Sequence, residues 1–136
     1  MDYLFCKPLG LIVVSAKRMV TAEDLKSFHK KLLSDPEIPP GMKEIIDLRQ
    51  IDVVAVPAQL VWDISVLEKQ QADRVGTAHI AVVAPQPAAF GLGRMYEGLA
   101  GGTAKKVGVF SELDPALEWL GISREEIKRH LPDFDA

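Results

Sequence analysis

The stretch IIDLRQIDVVAVPAQL, residues 45–60, governs how the rest of the chain is interpreted. It opens with the apolar, β-branched character of a buried strand, which we expect over residues 43–48. Pro57 then suits the first turn of a helix, because a residue there needs no backbone N–H. Between strand and helix we predict a loop that is almost free of polar side chains. Loops after the strands of α/β domains commonly carry function, so this apolar segment needs an explanation.

Strand patterns recur on both sides of this stretch. Continuous apolar runs are typical of strands that are covered on both faces. We expect four further strands, at residues 2–6, 10–15, 78–84 and 105–110. The residues predicted to lie on the central strands are Ile12, Val14, Ile46, Leu48, Ile80, Val82, Val107 and Val109.

Helical patterns separate these strands. Thr21 and Ser123 each precede a helical stretch and have an acid three residues later, so both predict a capped helix start. Asp114, followed by a proline, is expected to cap another helix. The resulting order is β-β-α-β-α-β-α-β-α-α. Strands that alternate with helices predict one α/β domain over residues 1–136, with a mostly parallel, mixed sheet of about five strands covered by helices.

Composition limits the class of protein. Apolar residues make up 48% of the chain and charged residues 26%, an ordinary balance for a globular domain. The formal net charge of −3 argues against a nucleic-acid binder, which would carry a basic surface. The lone Cys6 cannot form an internal disulfide, and the apolar run 9–16 is too short to span a membrane. We therefore expect a cytoplasmic protein without a membrane span.

The chain carries no recognisable catalytic, metal or cofactor motif. Its histidines, His29, His79 and His130, fall on three separate predicted elements, where packed or half-exposed side chains are more common than ligands. The stretch GLGRMY, residues 91–96, lacks the third glycine of a dinucleotide loop and lies within a helical pattern. We therefore expect no catalytic residue, no metal and no cofactor.

The order of elements, together with three short motifs, resembles the STAS superfamily, and most closely its SpoIIAA-like branch. The motifs are the step Ile46-Asp47-Leu48, an arginine leading into an apolar strand over 74–83, and the closing pattern over 109–120. The resemblance implies a STAS/SpoIIAA-like fold and a bacterial regulatory or binding role. It also implies a likeness in fold to SEC14-type domains, which carry lipids.

One feature of that family is missing. Anti-sigma-factor antagonists of the STAS type carry a phosphorylatable Ser or Thr at the start of the second helix. The matching places in this chain are Ala55, Val56 and Pro57, and none of them can accept a phosphate. The family's phosphorylation switch therefore cannot be carried over.

Two interpretations of the apolar segment stay open. Its valines could pack inside the domain, or they could line the mouth of a site for an apolar ligand or a protein partner. Trp62 and Phe90 could belong to the same surface, or to the face of a homodimer. The candidate binding residues are Val53, Val54, Val56, Trp62, Phe90 and Arg94.

Three functions follow from these observations. The first is a non-catalytic binding module that engages a protein partner or a small apolar ligand. The second is an anti-sigma-antagonist-like regulator with altered switching, for which Ser65 and Ser111 are the nearest hydroxyl groups. The third is an enzyme that uses Asp47 with Arg74 or Arg94, although Asp47 also suits a structural acceptor for loop amides.

Overall fold

The computed structural model describes residues 1–134, and the side chain of Arg74 lies outside this description. The strands are β1 Asp2–Cys6, β2 Leu11–Thr21, β3 Lys43–Ala55, β4 His79–Val83 and β5 Lys106–Phe110. The helices are α1 Ala22–Leu33, α2 Ala58–Gln70, α3 Ala72–Val75, α4 Pro87–Leu99, α5 Leu113–Leu120 and α6 Arg124–His130. A short 3₁₀ turn, Lys7–Leu9, joins the first two strands.

The strands form one sheet in the order β1-β2-β3-β4-β5. β1 is antiparallel to β2, and the other three pairs are parallel. The predicted α/β class and mostly parallel, five-stranded mixed sheet are therefore confirmed. Of the eight residues expected on central strands, six lie on the interior strands β2, β3 and β4. Val107 and Val109 lie on β5, which is an edge strand, so the prediction is wrong for these two.

The sheet has two differently packed faces. On one face, apolar side chains of the strands pack against α5 and α6 in a single cluster that includes Ile45 and Leu117. We call this the filled face. On the other face, two separate clusters form, one against α1 and one against α4. We call this the hollow face, and Ile46 contacts both of its clusters.

The segment predicted as a loop after residue 48 is instead a continuation of β3. It pairs in parallel with the second half of β2, so that Val20 lies opposite Val54. Beyond Asp47, β3 no longer pairs with β4, and β2 and β3 continue as a two-stranded ribbon. Two register shifts bend the ribbon, and Arg18 has a positive φ of 69° beside one of them. The apolar character of the segment is therefore that of a strand.

The predicted helix caps are partly confirmed. Thr21 and Asp24 form a full capping box, and Ser123 forms another with Glu126. The expected Asp114 cap is wrong, since Glu112 occupies the N-cap position and α5 begins at Leu113, two residues before the start that an Asp114 cap implies. Asp114 lies in the first turn of the helix and accepts a hydrogen bond from Arg124 at 2.5 Å.

Gly93 sets how closely α4 approaches the sheet. A Cβ atom at this position would lie 3.1 Å from a methyl carbon of Val109 on β5. The absence of a side chain therefore lets α4 lie close above β5. The apolar cluster against α4 nevertheless does not merge with the cluster against α1.

Candidate functional site

A cavity of about 170 Å³ lies on the hollow face, between the sheet and helices α1, α2 and α4. Most of its lining is aliphatic and comes from three strands and three helices. The lining on the strands includes Ile12, Val20, Ile46, Leu48, Ile51, Val54, Ile80 and Val82. The lining on the helices includes Leu25, Phe28, Leu32, Val61, Ile64, Ala89 and Leu92. Such a surface suits an apolar molecule.

Four polar side chains meet at one end of the cavity and form what we call the polar cluster: His29, Glu68, Tyr96 and Lys105. The Tyr96 hydroxyl donates to the two Glu68 carboxylate oxygens at 2.9 and 3.0 Å. Nε2 of His29 lies 3.2 Å from Glu68 Oε2, and Lys105 Nζ donates to Glu68 Oε1. Lys105 also donates to the Tyr96 hydroxyl at 3.0 Å. Glu68 is thus the common acceptor of the cluster.

The polar cluster draws on four parts of the chain. His29 lies on α1, Glu68 on α2 and Tyr96 on α4, while Lys105 directly precedes β5. These residues lie towards the C-terminal ends of their helices and the amino end of a strand. The cluster therefore sits at the edge of the sheet where the parallel strands begin. This is opposite to the carboxyl edge, where sequence reasoning had placed the candidate site.

Burial and charge act against each other within the cluster. Burial alone would raise the pKa of Glu68, but the hydrogen bond from His29 and the charge of Lys105 outweigh it, so that the pKa is lowered. Burial, together with nearby Glu68 and Glu44, raises the pKa of Tyr96 well above its usual value. At neutral pH the cluster therefore contains a carboxylate paired with a lysine and a neutral tyrosine.

Glu44, the second residue of β3, is an acid beside the polar cluster but not bonded to it. Its neighbours across the sheet are Ile12 on β2 and Ile80 on β4, and its side chain lines the cavity. Burial, and then the charge of Glu68, raises its pKa to about 8, although Lys105 acts in the opposite direction. Glu44 is therefore mostly protonated at neutral pH.

An outer groove runs between α1 and α2 and is lined in part by Lys26, Lys30 and Asp63. His29, Leu33 and Ile64 border both this groove and the cavity. These three side chains are all that the two linings share. Side chains of α1 and α2 therefore lie between the cavity and this groove.

The structure separates the residues predicted to form the site. Val54 and Val56 line the cavity. Val53 lies on the opposite side of the ribbon with Met19 as its cross-strand partner, and its side chain is 50% exposed. Trp62 is 51% exposed on the outer side of α2. The predicted set is therefore not one surface.

The two other candidates on α4 also lie apart. Phe90 is partly buried and packs against the α4 cluster of the hollow face, as Val54 does. Arg94 is mostly exposed and forms an ion pair with Glu97 at 3.0 Å. Neither side chain lines the cavity, so neither contacts a molecule bound inside it.

Asp47 accepts hydrogen bonds from both the backbone and the side chain of Arg49. It accepts hydrogen bonds from the Arg49 backbone N–H at 3.1 Å and from the Arg49 guanidinium at 2.8 and 2.9 Å. The guanidinium in turn lies 5.5 Å from the ring centre of Phe134. Asp47 is not part of the cavity lining. Arg94 on α4 forms its ion pair with Glu97, not with Asp47. The predicted partner Arg74 has a side chain outside the described residues.

Sequence reasoning missed Glu44, Glu68, Tyr96 and Lys105 as a group. Two signals were present. Glu68 follows the apolar stripe of its helix, and Glu44 lies two residues from the apolar Met42 and Ile46, which share its side of the strand. A charged residue at a position that is expected to be buried is a recognised indication of function.

Comparison of the chain with protein-family models, with curated proteins and with solved structures gave no match. None of the helices within residues 1–134 is long and apolar enough to cross a membrane. In the same part of the chain, no group of three or more His, Cys, Asp or Glu side chains is arranged to hold a metal ion. The cavity and its polar cluster form the candidate functional site.

Proposed function

We propose that this protein is a non-catalytic binding module of the STAS/SpoIIAA-like type that holds a small apolar ligand in the cavity of the hollow face. The observation that carries the proposal is the aliphatic lining beneath α1, α2 and α4. Val54 and Val56 belong to that lining, which agrees with the ligand-binding interpretation of the apolar segment.

The aliphatic lining favours an apolar occupant. A ligand in the cavity gains dispersion contacts with the lining and removes its own apolar surface from water. The cavity volume of about 170 Å³ suits a small molecule.

The regulator and enzyme alternatives receive less support. Ser65 is buried and donates to the Val61 carbonyl at 3.0 Å, so a kinase would have to unfold α2 to reach it. Ser111 is exposed but lies beyond β5, away from the start of α2. Asp47 is occupied by Arg49 and faces away from the cavity.

The experiment that tests the proposal is a methyl NMR titration of the protein with octane. We expect saturable shifts of methyl groups that line the cavity, such as those of Ile12, Ile46 and Ile80, with Ile45 and Ile127 of the filled face unchanged. The two groups serve as internal controls for each other because they lie on opposite faces of the same sheet.

Two variants at neighbouring positions sharpen the test. Val54→Trp places a larger side chain into the lining, so we expect octane affinity to fall at least tenfold. Val53→Trp makes the same change on the other side of the ribbon and should leave affinity unchanged. Wild-type protein without saturable shifts, or equal loss in both variants, would contradict the proposal.

A further inference from the structure

Glu44 is a buried acid with no partner in the described part of the chain. Its side chain is only 7% exposed, and none of the hydrogen bonds or ion pairs among the described residues involves it. In the same set of residues, no fully enclosed side-chain oxygen or nitrogen lacks a hydrogen-bond partner. The Glu44 oxygens must therefore reach open space, and the space that this side chain borders is the cavity.

The neighbouring polar groups already satisfy one another. Glu68 accepts hydrogen bonds from Tyr96 and Lys105 and lies beside His29. Lys105 also donates a hydrogen bond to the Tyr96 hydroxyl. With its pKa raised to about 8, Glu44 keeps its proton at neutral pH. A buried carboxylic acid that lacks a protein acceptor presents an O–H donor to the cavity.

The lining of the cavity on β3 is apolar apart from Glu44. The other lining residues of this strand, Ile46, Leu48, Ile51 and Val54, are all aliphatic. The cavity, of about 170 Å³, therefore presents one acid beside an aliphatic surface on this strand.

We propose that Glu44 binds the polar end of the ligand, and that this end is a neutral hydrogen-bond acceptor, such as a carbonyl oxygen, on an otherwise apolar chain. The inference rests on the proposed function and adds the chemical class of the ligand to it. The Glu44 O–H donates to the acceptor, and the aliphatic lining receives the chain.

Charged ligand ends fit the same geometry less well. A carboxylate could accept from the Glu44 O–H, but its charge would be buried near the ionised Glu68. An ammonium group would require Glu44 to give up its proton next to Glu68. A neutral acceptor brings no second charge close to Glu68 and leaves the proton on Glu44, so it costs the least free energy to bind.

The experiment compares octan-2-one with octane, which differ by the carbonyl group. For the wild-type protein at pH 6 we expect the ketone to bind about fivefold more tightly, the effect of one net hydrogen bond. Glu44→Leu removes the donor, and this preference should disappear while octane still binds. Glu44→Gln keeps an N–H donor and should retain the preference.

The pH dependence of the ketone preference tests the role of the Glu44 proton in the unsubstituted protein. An ionised Glu44 cannot donate, so the preference for the ketone should vanish in the wild-type protein between pH 6 and 9.5 and persist in Glu44→Gln. The Gln variant retains His29, Glu68, Tyr96 and Lys105, the titratable groups that face this end of the cavity, and therefore controls for their ionisation.

Several results would overturn the inference while leaving the proposed function intact. These are equal binding of ketone and octane by the wild-type protein, a ketone preference that survives in Glu44→Leu, or a pH dependence unchanged in Glu44→Gln. Tighter binding of octylamine or octanoate than of octan-2-one at pH 6 would also contradict it. Failure of octane and the ketone alike to bind would instead contradict the proposed function itself.

Discussion

The face of the sheet that carries α5 and α6 is filled by one continuous apolar cluster, whereas the face that carries α1, α2 and α4 divides into two clusters with a cavity between them. The same strands supply both faces, because side chains alternate along each strand. Ile45 is fully buried on the filled face, and its neighbour Ile46 is only partly buried on the hollow face.

The two faces of the sheet also differ in their buried polar groups. Glu44, Glu68 and Tyr96 all line the cavity of the hollow face, and Lys105 binds to two of them. On the other side of the sheet, the buried acid Asp47 is paired with Arg49 by two hydrogen bonds between the side chains. Among the described residues, Glu44 has no such partner, so the hollow face carries both the retained space and the unpaired acid.

The largest expected effect concerns the buried acid of the hollow face. Between pH 4.5 and about 8, the folded protein keeps a proton on Glu44 that the unfolded chain has released. Stability must therefore fall as pH rises through this window, by up to about 1.4 kcal/mol per pH unit and about 5 kcal/mol in total. Urea unfolding of the wild-type protein and of Glu44→Gln across pH 5–9 measures the effect.

Glu44→Gln should remove this pH dependence, because its amide does not titrate. The variant retains Glu68, whose lowered pKa acts in the opposite direction and only below its ordinary value. Parallel stability curves for the two proteins between pH 5 and 8 would show that Glu44 is not a neutral buried acid.

A smaller effect separates the two faces at adjacent positions of β3. Ile45→Ala leaves a hole in close-packed surroundings and should cost about 4 kcal/mol of unfolding free energy. Ile46→Ala enlarges a space that already exists, so its cost should be about 1–2 kcal/mol. Chemical denaturation at one pH compares them directly, and equal losses would mean that the hollow face is packed as tightly as the filled one.

The smallest effect comes from adding volume to each face on a helix. Ala116 of α5 is fully buried in the filled face, so Ala116→Met should cost about 1–3 kcal/mol through overpacking. Ala89 of α4 borders the cavity, and Ala89→Met can extend into it at a cost below about 1 kcal/mol. Both substitutions keep good helix formers, which makes the pair matched.

Thermal unfolding of the Ala89 and Ala116 variants provides the measurement. Octane binding to Ala89→Met should also weaken, since the new side chain occupies part of the ligand's space. A larger loss of stability in Ala89→Met than in Ala116→Met would reverse the comparison.

Local patterns were sufficient for most of the architecture. The apolar runs at 10–15 and 78–84 became central strands, and the capping boxes at Thr21 and Ser123 start helices as expected. Local patterns were insufficient where the same residues fit two different structures. The valines after residue 48 look alike in a loop and in a strand, and the pairing with β2 makes them a strand.

The sequence by itself determined the order of the strands and of the helices other than the short α3. It also determined the apolar positions of the sheet and the absence of a hydroxyl group over residues 52–60. Each of these depends on residues close together in the chain. Only the tertiary structure decided that Val54 faces a cavity while Val53 faces away from it, and that Glu44 lies beside the polar cluster. His29, Glu44, Glu68, Tyr96 and Lys105 come from five separate segments. Their burial depends on the partners that folding brings together, and no local pattern encodes those partners.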